Sequence, residues 1–174
     1  PSDQVVSEQD RGAYLMGEFN TDLGAIPFSG NFGVRYVRTH QTSSGIATIN
    51  GVLTPSTATR DYSDVLPSFN LVAEITPDFL IRLAAAKVMA RPGLGSLSPG
   101  VTVSVSGSAR TVSAGNPGLD PQRAKTADLS FEWYFNEGAM LGVGLFYKDI
   151  SSFIRSTRET HPYSWSGLPA NLLD

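Results

Sequence analysis

Apolar and polar residues alternate with a period of two along most of the chain, the spacing that places successive side chains on opposite sides of an extended strand. The pattern is cleanest from Ala124 to Ile154. In the first arm Leu129, Phe131, Trp133 and Phe135 share one face, with Asp128, Ser130, Glu132 and Tyr134 on the other. In the second arm Leu141, Val143, Leu145 and Tyr147 oppose Gly142, Gly144, Phe146 and Lys148. The segment Asn136-Glu137-Gly138-Ala139 supplies the turn between them.

The same reading gives two more hairpins. Gly12 to Phe19 is a strand with blurred alternation, Asn20 to Phe28 holds the Asn, Asp, Gly and Pro of a turn, and Gly30 to Thr42 alternates again, with Phe32, Val34 and Tyr36 opposite Asn31, Gly33, Arg35 and Val37. Tyr62 to Ile75 and Phe79 to Ala90 flank Thr76-Pro77-Asp78 as a third pair of strands. Ala84-Ala85-Ala86 favours helix locally, so a helix over Asp78 to Met89 is the rival reading, and the matching partner arm decides for strand. Lys87 falls on the apolar side of its strand, through either a bulge that flips the parity or a rim lysine whose stem lies along apolar surface.

Between these hairpins lie three polar stretches: Ser43 to Arg60, Arg91 to Arg123 and Arg155 to Asp174. The first reads as a long loop with a minor hairpin. The second carries an alternating island at Val101 to Val105 and a turn signal at Asn116-Pro117-Gly118, and the third reads as a loop. Connections therefore run medium at Asn20, long at Ser43, tight at Thr76, long at Arg91, tight at Asn136 and long at Arg155.

A soluble sheet buries its apolar face in a core, whereas a membrane barrel turns it toward lipid and its polar face toward a wet lumen. Periodicity leaves both open. Three features favour the barrel: strands longer than the usual five or six residues, aromatics crowded at one turn end (Trp133, Tyr134, Phe135), and the alternation of short and long connections. The expected fold is all-β, with about six long antiparallel strands in three up-and-down hairpins and essentially no helix.

Composition narrows the function classes. Charged residues make up 17% of the 174 positions, below the ~25% of ordinary soluble domains, while 17 glycines and 11 prolines supply turns. A net charge of -3 gives no basic footprint for nucleic acid. The absence of cysteine removes disulfides, thiolate metal sites and Cys nucleophiles. No stretch reaches the ~20 apolar residues of a membrane helix, and a β-barrel needs none.

Several runs resemble the barrel of TonB-dependent outer-membrane receptors. They are Asn31-Phe32-Gly33-Val34-Arg35-Tyr36-Val37-Arg38-Thr39, Ala84-Ala85-Ala86-Lys87-Val88-Met89-Ala90-Arg91-Pro92, Gly115-Asn116-Pro117-Gly118-Leu119-Asp120-Pro121, Glu132-Trp133-Tyr134-Phe135 and Phe146-Tyr147-Lys148-Asp149-Ile150. The likeness is strongest to the branch abundant in Xanthomonas- and Caulobacter-type bacteria. It implies that residues 1–174 are a segment of a transmembrane barrel of about 22 strands in the outer membrane, with the plug domain, the TonB-engaging region and the final barrel strands lying outside the segment. It further implies a receptor importing a bulky nutrient, an oligosaccharide first and a siderophore second, energised through TonB. The non-transport alternative is a soluble glycan-binding β-sandwich.

No enzyme chemistry emerges from the residues. Asp128 and Glu132 share a strand face but stand about 13 Å apart, beyond the spacing of paired glycosidase carboxylates. His40 and His161 are the only histidines and fall in separate stretches, which disfavours a metal site, and no cofactor motif is present. If the turns at Thr76 and Asn136 face the periplasm, the three polar stretches emerge outside the cell. Ligand contacts are then expected at Arg91, Asn116, Arg123, Tyr163 and Trp165, where incoming substrate first arrives and where guanidinium forks and aromatic faces suit sugar hydroxyls and rings.

Overall fold

The chain was analysed as a computed structural model that describes residues 4–49, 52–106 and 109–166. Its eight strands are β1 (Val5–Leu23), β2 (Ile26–Ile49), β3 (Val52–Thr76), β4 (Phe79–Ala90), β5 (Val101–Ser106), β6 (Ala109–Ala114), β7 (Gln122–Asn136) and β8 (Ala139–Ile150). Six of them form one antiparallel sheet in the order β1-β2-β3-β4-β7-β8, and β5 and β6 pair separately as a small hairpin within the β4–β7 connection. The only helical elements among the described residues are two single 3-10 turns, Leu94–Leu97 and Tyr163–Ser166. The expected all-β fold of three hairpins is what forms, and Phe79–Ala90 is strand despite its alanine run.

Three tight turns close one end of the sheet. Leu23 and Ile26 flank Gly24-Ala25, Thr76 and Phe79 flank Pro77-Asp78, and Asn136 and Ala139 flank Glu137-Gly138. Gly24 and Gly138 take positive φ (68° and 73°), a region costly for residues bearing a Cβ. The first connection is thus a two-residue turn rather than the medium one that Asn20 to Phe28 suggested. Strand pairing persists from Asn20↔Ser29 through Leu23↔Ile26, because edge rungs near a turn tolerate Asn, Asp and Pro.

A second correction concerns Ser43 to Arg60, expected to be a long loop. β2 and β3 run 24 and 25 residues, and their register continues unbroken through Ser43↔Ala58, Ser44↔Thr57 and Ala47↔Thr54 to Ile49↔Val52. The residues between them, 50–51, lie outside the described set. A membrane crossing takes about 9–11 residues, so these strands project well beyond any bilayer. Their outer halves are polar on both faces because both are wet, which erases the apolar alternation while Thr keeps the backbone extended. The opening stretch Ser7 to Arg11 is likewise strand, part of β1. The last hairpin ends at Ile150 rather than Ile154.

Register makes the two faces continuous across all six strands. One row on the apolar face reads Phe19, Gly30, Leu71, Leu83, Leu129, Leu145, each paired with the next. Aromatic rings lie over the glycines of this face, Phe19 against Gly30 and Phe32 against Gly17. The neighbouring row on the opposite face reads Glu18, Asn31, Asn70, Ala84, Asp128, Phe146. There Asn70 donates to the Asn31 side chain at 2.8 Å, and Glu132 accepts from Arg82 Nε at 2.9 Å and from the Tyr134 hydroxyl at 3.0 Å.

The apolar face has no second layer. Leu15, Phe32, Trp133, Leu141 and Leu145 are each about half exposed or more, and within the six-stranded sheet the tightest burial occurs instead at the polar residues Thr39, Gln41 and Ser43. A solvated sandwich hides its large apolar side chains, so this distribution belongs to a wall between lipid and water.

Candidate ligand-facing site

The site forms where the projecting half of β3 loses its neighbour. Pairing of β3 with β4 ends at Ser68↔Ala86, beside Pro67, which has no N–H to continue a ladder. From there to Val52 β3 has no strand partner on that side, and the connection between Arg91 and Pro121 meets the polar face of β1, β2 and β3 at Asp10, Gln41 and Arg60. Within that connection Leu97 is fully buried, and Asn116 N–H donates to the Ser96 carbonyl at 2.6 Å.

Two arginine–aspartate pairs fasten the connection to the polar face, and a third ties β7 to β3 beside it. Arg91 pairs with Asp10 at 2.8 Å, Arg60 with Asp120 at 2.5 Å, and Arg123 grips Asp64 with Nε at 2.6 Å and Nη2 at 2.8 Å. Such two-pronged geometry is the strongest form of this contact. Donating to the Asp64 carboxylate raises Arg123 above the ordinary guanidinium range, against the opposing effect of burial. Thr39 donates its hydroxyl to Asp10 at 2.6 Å, and Gln41 Nε2 donates to the Pro117 carbonyl at 3.3 Å.

Beneath this cover, two cross-strand rows stand side by side: Asp10, Thr39, Tyr62 and Glu8, Gln41, Arg60. Buried atoms in them lack a protein partner: Glu8 Oε1, Gln41 Oε1, Arg60 Nε and the Tyr62 hydroxyl. Together they offer donors and acceptors of the kind that water or a polar ligand satisfies. Among the described residues no group of three or more His, Cys, Asp or Glu converges to hold a metal ion.

Of the five residues expected to meet ligand, Arg91, Asn116 and Arg123 all belong to this cover and its flanks. Each already has work inside the protein: the two arginines are ion-paired, and Asn116 Oδ1 accepts from Gly118 N–H at 2.8 Å to close its turn. Tyr163 and Trp165 sit on the second 3-10 turn, in a segment tied to β6 through Arg158 and Thr111. Trp165 stacks on His161 with ring centroids 4.1 Å apart and is 71% exposed. The remainder of that stretch, 167–174, lies outside the described residues. Thr39, Gln41, Arg60 and Asp64 were not singled out from the sequence, although Thr39, Gln41 and Ser43 continue the polar parity of Asn31 and Arg35.

A family model for the TonB-dependent receptor-like β-barrel matches residues 1–170. The chain belongs to this family. Its members are receptors and transporters of the Gram-negative outer membrane rather than enzymes, so the soluble-sandwich reading falls and the exposed apolar face is the lipid face. Two solved structures share the fold. The ferric-catecholate import receptor Fiu from K12 E. coli is 16% identical with a TM-score of 0.54, over 83% of this chain and 22% of that one. The siderophore receptor PirA from Pseudomonas aeruginosa is 15% identical with a TM-score of 0.52, over 92% and 36%. This TonB-dependent receptor chain thus spans about a fifth to a third of the structures it matches. Neither comes from a Xanthomonas- or Caulobacter-type bacterium, so they lend no support to the branch that the sequence runs resemble. No curated protein matches the chain in sequence.

Proposed function

We propose that the chain is part of the barrel wall of an active-transport receptor for a ferric siderophore, energised through TonB. The supporting observation is that two solved structures sharing its fold at TM-scores above 0.5 are a ferric-catecholate import receptor and a siderophore receptor. In this reading a plug domain and further strands complete a barrel of about 22 strands. The tight turns at Gly24, Pro77 and Glu137 face the periplasm, and Arg91, Asn116, Arg123, Tyr163 and Trp165 line the route of the entering chelate. Oligosaccharide import is the second reading, favoured by the exposed Trp165–His161 stack, a surface that suits a sugar ring as well as an aromatic chelate.

The test is uptake by cells carrying the full-length receptor in a strain stripped of its own siderophore receptors. Radioactive iron supplied as a catecholate or hydroxamate chelate should accumulate only when TonB is present. Accumulation of a labelled oligosaccharide without any iron uptake selects the second reading.

A further inference from the structure

We propose that the wall beneath the cover binds a monovalent cation, sodium or potassium, held by the side-chain oxygens of Glu8, Gln41 and Tyr62. Register brings these residues together: Glu8 is directly opposite Gln41 across β1 and β2, Gln41 is opposite Arg60 on β3, and Tyr62 stands two residues from Arg60 on the same face. Glu8 Oε1, Gln41 Oε1 and the Tyr62 hydroxyl are out of contact with solvent and lack a protein partner. Gln41 is 1% exposed, and its Nε2 donates to the Pro117 carbonyl at 3.3 Å and to Ser43 Oγ at 3.4 Å, so the acceptor end of the amide is the one left free. A carboxylate, an amide carbonyl and a hydroxyl are hard oxygen donors that suit a hard cation.

Charge selects the valence. Three carboxylates and two guanidiniums meet between wall and cover: Asp10 pairs with Arg91, Asp120 pairs with Arg60, and Glu8 has no ion-pair partner among the described residues. One negative charge is left over. Water would satisfy the open hydrogen-bonding positions but leave that charge in place, and a carboxylate oxygen withdrawn from solvent without a counter-ion is costly. A single positive charge cancels it. A divalent ion would bring a second one beside the Arg60 guanidinium, whose Nε is the unpartnered donor of the group.

The roof over these residues limits size. Leu97 and Ser98 of the cover are buried, Pro99 Cγ would stand 3.3 Å from a Cβ placed on Gly45, and the Gln4 side chain fills the space that a Cβ on Gly100 would take. The cover is therefore seated directly on the chain just beyond the Glu8–Gln41 pair, with room for an ion rather than a ligand of many atoms. One end of the Gln41 amide meets the ion and the other holds the Pro117 carbonyl, so occupancy also fastens the cover to the wall. Ion binding at this place is independent of which nutrient the receptor carries.

Crystals of the full-length receptor soaked in thallium(I), a heavy monovalent ion that takes potassium and sodium sites and scatters anomalously, test this directly. An anomalous peak among Glu8, Gln41 and Tyr62 is expected, and it should be lost in Glu8→Gln, which keeps the shape and removes the charge. No peak in the native protein overturns the site and leaves water there. In detergent, the melting transition of the native receptor should rise in sodium or potassium chloride relative to choline chloride at equal ionic strength, and hydrogen exchange over residues 94–97 and 115–119 should slow with it. Sodium and potassium titrated separately identify the preferred ion. Both responses should vanish in Glu8→Gln and shrink in Tyr62→Phe, which removes one oxygen and no charge. Equal responses of the native protein and Glu8→Gln overturn the role of Glu8, and a response confined to calcium chloride overturns the monovalent assignment.

Discussion

Single residues matter most here where a charge is buried or a backbone is bent. Asp64 is 4% exposed, and Arg123 is its two-pronged counter-ion. Arg123→Ala leaves that carboxylate uncompensated and should destabilise the upper wall by about 3 kcal/mol, read as a lowered melting transition of the receptor in detergent. Arg123→Lys should recover part of the loss, since a point charge replaces a planar fork. At the opposite end, Gly138→Val forces a β-branched residue to positive φ and should cost about 1–2 kcal/mol in the same measurement. Trp165→Ala removes an exposed ring and should weaken ligand binding by about 1–3 kcal/mol if the ring stacks on cargo, a scale taken from aromatic stacking on nucleic-acid bases. Unchanged affinity in a ligand titration removes Trp165 from the contact set.

At the scale of elements, the decisive feature is the projection of β2 and β3 beyond the membrane band. Residues 43–49 and 52–60 hold strand register although their sequence, rich in Ser, Thr and Gly, reads as loop. Hydrogen exchange on the folded receptor should therefore show slowed amides along both segments, as paired strands give. Uniformly fast exchange from Ser43 to Arg60 contradicts the register. The Arg91–Pro121 connection is long because it leaves β4, reaches Asp10, Gln41 and Arg60 on the polar face and returns to β7, and the β5–β6 hairpin gives it internal pairing of its own. The Arg91–Asp10 and Arg60–Asp120 pairs then act as clasps between cover and wall, and Arg123–Asp64 ties β7 to β3.

For the whole molecule, sidedness connects the lipid face, the clasped cover and the tight turns into one orientation. The chain contains no cysteine, so single cysteines introduced into it report without interference from this segment. Ser96→Cys should react with a membrane-impermeant maleimide on intact cells, and Glu137→Cys should react only after the outer membrane is opened. The reverse pattern inverts the orientation and moves the proposed ligand route to the other end of the barrel.

Much of this wall is legible from period-two patterning. The three hairpins, the turns at Pro77-Asp78 and Glu137-Gly138, and the lipid-facing set around Leu83, Leu129 and Leu145 depend on local alternation and turn chemistry, which any strand expresses in its own residues. The runs quoted above for the receptor barrel were equally local. Tertiary structure alone decided the rest, because the information is in pairing. Residues 43–49 and 52–60 became strand by pairing with one another, and counting by twos from Leu129 assigns Arg123 to the apolar stripe although it reaches Asp64 on the polar face. The rows of Glu8, Gln41 and Arg60, and of Lys87 and Lys125, join residues tens of positions apart; register brings them together, and no stretch of sequence contains them.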